Sequence, residues 1–429
     1  MLFRLHREVT GGFCFLASFA AEALIHYGGV EMFSGGGAIE VHGLPDELRM
    51  LRDIVRQFVQ TELMPLEKIV QEREARRGLG NDPVIPPEEN ARLIQRAREL
   101  DLWGLDVPVE LGGQGLGFCA KVIAIEELFR TIVPFRFPPE SPNLFMLIEN
   151  CTPEQRERYL VPYARGEKLS AIVLTEPNAG SDAAAIQTTA VRRDGGWVLN
   201  GTKTFISYAD VADFYIVIAV TDKEKRARGG ITAFLVDRDT PGCRVGRHIP
   251  TMGEPTPFEM VFDDCFLPDS QVLGEVGWGF RPLMNRLDVR RIEMAARAVG
   301  MAERMIQMMV EYANTRVTFG QPLAERQAIQ WMIADSVMEV HATRLMVMDV
   351  ARKLDDGIKD VRVEAASAKI FGSEMISRVV DRAMQVHGGL GYTKDLPIEY
   401  MYRNSRVLRI YEGTSEILRR QIARLRLRA

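Results

Sequence analysis

Ala171-Ile172-Val173-Leu174-Thr175-Glu176-Pro177-Asn178-Ala179-Gly180-Ser181-Asp182 is an apolar run of strand character that stops at a loop of Thr, Pro, Asn, Ala, Gly and Ser. Pro177 fixes the chain direction, and Gly180 removes the Cβ that would hold a ligand off the backbone. Thr175, Ser181 and the main-chain N–H groups around them are left to bond an oxygen-rich ligand. No Gly-Lys-Ser/Thr ending follows, which excludes a nucleotide P-loop.

On either side of this stretch the hydrophobic period changes. Upstream, Pro45-Asp46-Glu47 opens a helix with acids in its first turn, and Leu48, Leu51, Val55, Phe58, Val59 and Leu63 repeat at helical spacing. A charged, Gly- and Pro-rich linker over 76–87 precedes helices predicted at 88–100 and 118–130. Gly112-Gly113-Gln114-Gly115-Leu116-Gly117 has no βαβ unit around it and is a loop between helices. Thr152-Pro153-Glu154-Gln155 is a capping box that starts a helix running to about Arg165.

After Lys168 come short β-rich runs at 170–174, 187–192, 197–200, 205–207, 214–220 and 231–236, separated by turns, with a hairpin at Asp194-Gly195-Gly196. They predict a small antiparallel β domain that ends with the runs at 259–264 and 273–274, with Trp197 and Phe214 in its core. From Gly279 the chain is helical again. Met301, Met305, Met308 and Met309 fall on one buried face, long helices follow at 323–355 and 361–386, Pro397 marks a break, and a last helix starts near Thr414. The expected fold class is α+β multidomain: an extension at 1–43, an N-terminal helical domain at 44–168, a β domain at 169–277 and a four-helix-bundle-like C-terminal domain at 278–429. That order is not a Rossmann order, so a ligand on the Thr175 loop sits between domains.

Composition narrows the function. A chain of 429 residues with 54 Lys plus Arg against 58 Asp plus Glu carries a net charge of -4 and offers no basic field for nucleic acid. Five scattered cysteines without a CxxC pair suit a reducing compartment, and six histidines without HExxH spacing give no metal site. Arg4, His6 and Arg7 before Phe13-Cys14-Phe15-Leu16-Ala17-Ser18-Phe19-Ala20-Ala21 superficially look like a leader, but Glu22 closes the short apolar run. The preferred reading is an extension with no role in the fold, upstream of a start at Met32. No stretch approaches the length of a membrane span, so stable membrane insertion is not expected.

Several motifs in order resemble the acyl-CoA dehydrogenase family from about Leu44 to the C-terminus. The run Leu174–Ala185 is similar to the family's first signature, with Val173 where a smaller residue is usual. The resemblance implies FAD, held by Leu174, Thr175, Gly180 and Ser181, with Ser181 also touching substrate. In Asn200-Gly201-Thr202-Lys203-Thr204-Phe205-Ile206-Ser207 it implies that Ser207 bonds flavin N5 and that Phe205 packs on the ring where Trp is common. Arg316-Val317-Thr318-Phe319-Gly320, followed by Arg326-Gln327, looks like an element that reaches the FAD of a neighbouring subunit. On that basis Arg316, Thr318, Phe319 and Gln327 bind cofactor. Gln385-Val386-His387-Gly388-Gly389 resembles the second signature, with Gln385, Gly388 and Gly389 at the cofactor, His387 structural, and Tyr400 where Lys or Arg is usual.

Arg409-Ile410-Tyr411-Glu412-Gly413-Thr414-Ser415 is similar to the family's catalytic segment, which implies Glu412 as the base and Thr414 and Glu416 near the cofactor. Some members carry the base on an earlier helix, but Arg290 stands at the matching position here. By the same likeness Asp288, Arg291, Gly413 and Arg424 bind the CoA ester. The implied reaction is α,β-dehydrogenation of an acyl-CoA to the trans-2-enoyl-CoA, with Glu412 taking the α proton and flavin N5 the β hydride. An electron-transfer flavoprotein is the implied acceptor. A homodimer or homotetramer in the cytoplasm, or in the mitochondrial matrix of a eukaryote, is the implied setting. The rivals are an oxygen-using acyl-CoA oxidase on the same fold and a non-catalytic or DNA-associated relative.

Overall fold

The computed structural model describes residues 41–139, 142–254 and 256–427. The reading of the first residues as an extension therefore falls, over 1–40, outside the described residues. The N-terminal part is helical: α1 (Asp46–Phe58), α2 (Glu67–Arg77), α3 (Pro87–Glu99), α4 (Gly117–Leu128), α5 (Asn143–Asn150) and α6 (153–164). Leu51, Val55 and Phe58 form the buried stripe of α1, and Asp46 and Glu47 lie in its first turn. The predicted capping box at Thr152 is present in both directions, with Gln155 N–H bonded to the Thr152 hydroxyl and Thr152 N–H to the Gln155 side chain. The glycine cluster at 112–117 is a loop that feeds α4. At its end Phe118 and Cys119 N–H groups both donate to the Asp355 carboxylate, at 2.6 and 3.0 Å, so a residue distant in sequence caps α4.

The middle of the chain forms β1 (Ser170–Val173), β2 (Thr189–Arg193), β3 (Gly196–Ser207), β4 (Phe214–Val220), β5 (Ile231–Asp237), β6 (Cys243–His248), β7 (Pro257–Pro268) and β8 (Val272–Leu273). The main sheet order is β6-β7-β3-β2-β4-β5-β8, with β1 on β4. Every residue of β4 is buried, and Trp197 and Phe214 lie in the core. Most pairs are antiparallel, but the sheet is mixed. β1 runs parallel to β4 from Ser170 opposite Phe214 to Val173 opposite Val217, and β2 runs parallel to the same strand at Thr189 opposite Val220. The chain between them, which includes the Thr175 loop, therefore leaves the β4 edge and returns to it.

Two expectations change. The runs at 197–200 and 205–207 are one strand, β3, whose register against β7 shifts between Leu199 and Gly201 and again between Lys203 and Ile206. Gly201 is required there: at φ +154 a Cβ would stand 2.5 Å from the Thr188 hydroxyl and 2.8 Å from its Cα. Strand β6 was not predicted. It is a polar edge strand carrying Arg244 and Arg247, so it has no apolar alternation to reveal it.

The C-terminal part comprises α7 (Phe280–Thr315), the two-residue strands β9 (Val317–Thr318) and β10 (Gln321–Pro322), then α8 (Gln327–Asp355), α9 (Arg362–His387), α10 (Ile398–Arg406) and α11 (Ser415–Leu427). Helix α7 packs against α9, α8 and α4, and its Met301, Met305, Met308 and Met309 are at most 8 % exposed. Buried ion pairs tie these helices together, among them Arg344 with Glu126 and Glu303, and Lys121 with Asp106 and Glu293. No helix of the described residues is long and apolar enough to cross a membrane.

Candidate active site

At the gap on the β4 edge, between the end of β1 and the start of β2, the Ile218 carbonyl accepts a bond from Lys203 instead of from a strand. The Lys203 ammonium is fully buried and donates to the carbonyls of Leu174 and Ile218 and to Glu176 Oε1, each at 2.8 Å. Glu176 also accepts from the N–H groups of Gln187, at 2.6 Å, and Thr188, at 2.9 Å. The Thr175 carbonyl takes the Thr204 N–H at 2.8 Å, so the loop is pinned to β3 just before Phe205. The structure thus brings Leu174 and Thr175 beside the Phe205–Ser207 end of β3. Phe205, at φ +57, is 60 % exposed. Gly180 and Ser181 lie on the exposed loop, and a Cβ at Gly180 would meet nothing within 4 Å.

A second cluster forms where α7 faces the loop before α11. Glu412 and Gly413 both take left-handed backbone angles, φ +56 and +94. A non-glycine residue held there is strained, and such strain collects at functional sites. Two buried cations hold the turn by its carbonyls: Arg291 Nε donates to the Glu412 oxygen at 3.2 Å and Lys369 Nζ to the Gly413 oxygen at 2.6 Å. Burial pushes Lys369 down to about 8. The Glu412 carboxylate lies 3.7 Å from Arg286 and 3.8 Å from Arg290. Each of these guanidiniums has a closer bond elsewhere, Arg286 to the Asn143 side-chain oxygen and Arg290 to Glu293, both at 2.6 Å. Burial lowers the Arg286 guanidinium below the usual arginine range, against an opposing pull from Glu412. Asp288 and Arg291 share one helix face and pair with each other at 2.6 Å.

Asp288 also borders a cleft of about 640 Å³ between the β domain and the C-terminal helices, where Arg228, Trp278, Arg281, Lys359 and Arg362 converge. The other expected residues lie apart. Arg316 and Phe319 are exposed, the latter 99 %, on the β9–β10 hairpin, whose Thr318 carbonyl is held by Arg326 at 2.7 Å. Gln327 opens α8 and is exposed. Among the described residues no hydrogen bond or ion pair joins this hairpin to the Thr175 loop or to Glu412. Gln385, Gly388 and Gly389 form an exposed end of α9, and Arg424 and Glu416 are exposed on α11. Thr414 caps α11 through a 3.3 Å bond from the Ile417 N–H. His387 is structural as expected: Nδ1 bonds the Ala383 carbonyl at 2.8 Å and the ring stacks on Tyr312 at 4.4 Å.

Sequence reasoning missed Arg286, Lys369, Lys203 and Glu176 as site residues. The spacing of Arg286 and Arg290, one helix turn apart on α7, was the one signal available for the first. Nothing local links the other three to their partners.

Three family profiles match the chain: "Acyl-CoA dehydrogenase, N-terminal domain" over 45–167, "Acyl-CoA dehydrogenase, middle domain" over 171–265 and "Acyl-CoA dehydrogenase, C-terminal domain" over 277–427. The chain is 48 % identical over 387 residues to (R)-benzylsuccinyl-CoA dehydrogenase of Thauera aromatica, covering 89 % of this chain and 95 % of the relative. Among solved structures it is similar to butyryl-CoA dehydrogenase from Megasphaera elsdenii, with a TM-score of 0.79, 33 % identity and coverage of 90 % and 100 % of the two chains. It is also similar to PigA with FAD and proline, with a TM-score of 0.81, 28 % identity and coverage of 91 % and 100 %.

Proposed function

The chain belongs to the acyl-CoA dehydrogenase family, hence to the FAD-dependent oxidoreductases that act on a CH–CH bond, and on that premise we propose that Glu412 is the base of an acyl-CoA α,β-dehydrogenation. The observation that carries this reading is the strained Glu412–Gly413 turn, anchored by Arg291 and Lys369 through its carbonyls so that the carboxylate projects toward α7. The residues present fit FAD. Gly180, Gly388 and Gly389 each leave the space within 4 Å of a would-be Cβ empty, so a ligand can approach the backbone. Thr175 and Ser207 supply hydroxyls near the exposed Phe205, and Ser181 supplies another on the exposed loop. These residues, with Leu174, Gln385, Thr414 and Glu416, would hold the cofactor. Arg316, Thr318, Phe319 and Gln327 would hold that of a second subunit, in a homodimer or homotetramer.

FAD, when bound, supplies the acceptor for the β hydrogen and two electrons. The chain's own work is to bind the thioester, acidify its α carbon and take the α proton. The cleft lined by Arg228, Arg281, Lys359 and Arg362 suits the phosphates of CoA, and Asp288 with Arg291 borders the pantetheine path, with Arg424 near the CoA end. The Glu412 N–H would serve as a donor to the thioester oxygen as enolate charge develops there, while Arg291 holds the carbonyl of the same residue. Glu412 Oε then receives the α proton. An electron-transfer flavoprotein is the proposed acceptor, and the cytoplasm or mitochondrial matrix the proposed setting.

Glu412→Gln keeps size and shape but cannot accept a proton. We expect a folded, yellow protein that binds acyl-CoA and whose flavin is reduced at least about a hundredfold more slowly in anaerobic stopped-flow. Bleaching near the wild-type rate in a flavin-loaded variant would remove Glu412 from the mechanism.

A further inference from the structure

We propose that Arg286 receives a carboxylate carried on the acyl chain, so that the substrates are mono-CoA thioesters of short dicarboxylic acids. This rests on the dehydrogenase reading above and names the substrate class of the same site.

Arg286 is a built receptor. It is 5 % exposed, and its Nε is fixed by the Asn143 side-chain oxygen at 2.6 Å. Asn143 is 1 % exposed and is itself held by a 2.9 Å bond from its side-chain nitrogen to the Ser170 hydroxyl. The fork is therefore oriented by a neutral partner, with Nη1 3.7 Å from the Glu412 carboxylate. Among the described residues Glu412 is the one acid within ion-pair distance of Arg286, at 3.7 Å. Arg290, one turn along α7, has Glu293 at 2.6 Å as a second anion.

The chemical step changes this balance. When Glu412 takes the α proton its charge disappears, and the Arg286 guanidinium is left with a neutral amide and a neutral acid as its nearest partners, the remaining pull coming from Glu293, which is bonded to Arg290. Burial already acts against that charge. A buried guanidinium stripped of its counter-ion is strongly unfavourable. An uncharged acyl chain would load that penalty onto proton transfer itself. A carboxylate on the chain supplies the counter-ion before, during and after the transfer, and the planar fork of Arg286 can take it in a bidentate pair. The same guanidinium lies within ion-pair distance of the base, so the acid group must stand close to the α carbon. That favours succinyl- and glutaryl-length chains over long ones.

The test uses the full-length, FAD-loaded enzyme. Anaerobic flavin bleaching and kcat/KM are compared for succinyl-, 2-methylsuccinyl- and glutaryl-CoA and for the matching thioesters with methyl in place of the carboxylate. Wild type should prefer the acids by about a hundredfold or more, the range for a buried charge pair. Arg286→Gln should erase that preference, and Arg286→Lys should restore part of it. Calorimetric binding of fumaryl-CoA against crotonyl-CoA, neither of which can be oxidised at this bond, should show the same preference without turnover. Equal or better use of the uncharged thioesters by wild type would overturn the carboxylate assignment while leaving the dehydrogenase reading intact. So would an Arg286→Gln variant that slows both series by one factor. Bleaching by none of the thioesters would overturn both readings. The wild-type comparison and the calorimetry decide the matter even if Arg286→Gln does not fold.

Discussion

Replacing Lys203 by Met tests whether the ligand loop is built on a single buried charge. The ammonium donates three bonds of 2.8 Å, to Leu174, Ile218 and Glu176, and is fully buried. Met fills much the same volume but leaves Glu176 as a buried carboxylate with only the Gln187 and Thr188 N–H groups, and removes a donor from two carbonyls. Breaking a buried pair from one side costs about 3–5 kcal/mol, mostly because the remaining charge has no compensation. For a β domain of this size that is a drop on the order of 10 °C in Tm. The loss should appear in the FAD-free protein, followed by circular dichroism at a fixed scan rate, which separates it from stabilisation by bound ligand. Lys203→Met/Glu176→Gln removes the orphaned charge as well and should be more stable than Lys203→Met alone. The reasoning fails if Lys203→Met melts with wild type, or if the double variant is no more stable than the single one. Either result would mean that Glu176 is not held as an anion by Lys203.

Asp355→Ala removes both acceptors at the start of α4 and should lower stability by about 1–2 kcal/mol in denaturant melts, with no change in flavin content. An Asp355→Ala protein as stable as wild type would show that the cap contributes nothing. Lys369 loses its proton at about 8 in the folded chain, against an ordinary value of 10.5. Between those values the unfolded chain binds the extra proton, so this group makes stability rise with pH across that window, and its burial penalty is complete below it. The stability difference between wild type and Lys369→Met, measured at pH 7.5 and 9.5, should therefore move in favour of wild type at the higher pH. A flat or opposite trend would contradict the assigned shift.

Local signals carried most of the fold. The capping box at Thr152, the methionine face of α7 and the apolar run of β4 each depend on residues within a turn or two of one another, and all three are where the sequence predicts them. The parallel pairing of β1 and β2 on one edge of β4 was not legible, because nothing in those short runs specifies a partner far along the chain. Lys203 and Glu176 both stand inside motifs that point to a cofactor, yet their pairing spans 27 residues and shows only once the β4 edge is seen to open. The basic pair on α7 is visible in the sequence as a spacing of one helix turn, with Arg290 standing where the family resemblance allows a carboxylate. What that pair faces depends on Glu412, which reaches it from another element altogether.

The two arginines explain why the base belongs on the loop rather than on α7. A carboxylate locked in a close bidentate pair is a poor proton acceptor, because every lone pair is already committed. At Glu412 the close bonds go elsewhere: Arg291 and Lys369 grip backbone oxygens, Arg286 grips Asn143 and Arg290 grips Glu293. The carboxylate is left bordered by positive charge at 3.7 and 3.8 Å without being seized by it. A base placed on α7 at position 290 would instead sit one turn from Glu293 and Arg286, inside the helix's own network of ion pairs. The strained turn at Glu412 and Gly413 keeps the acceptor outside that network. The same arrangement leaves Arg286 Nη1 3.7 Å from the base with no closer acid among the described residues, so the device that spares the base from a tight ion pair is also the one that can recognise a substrate acid.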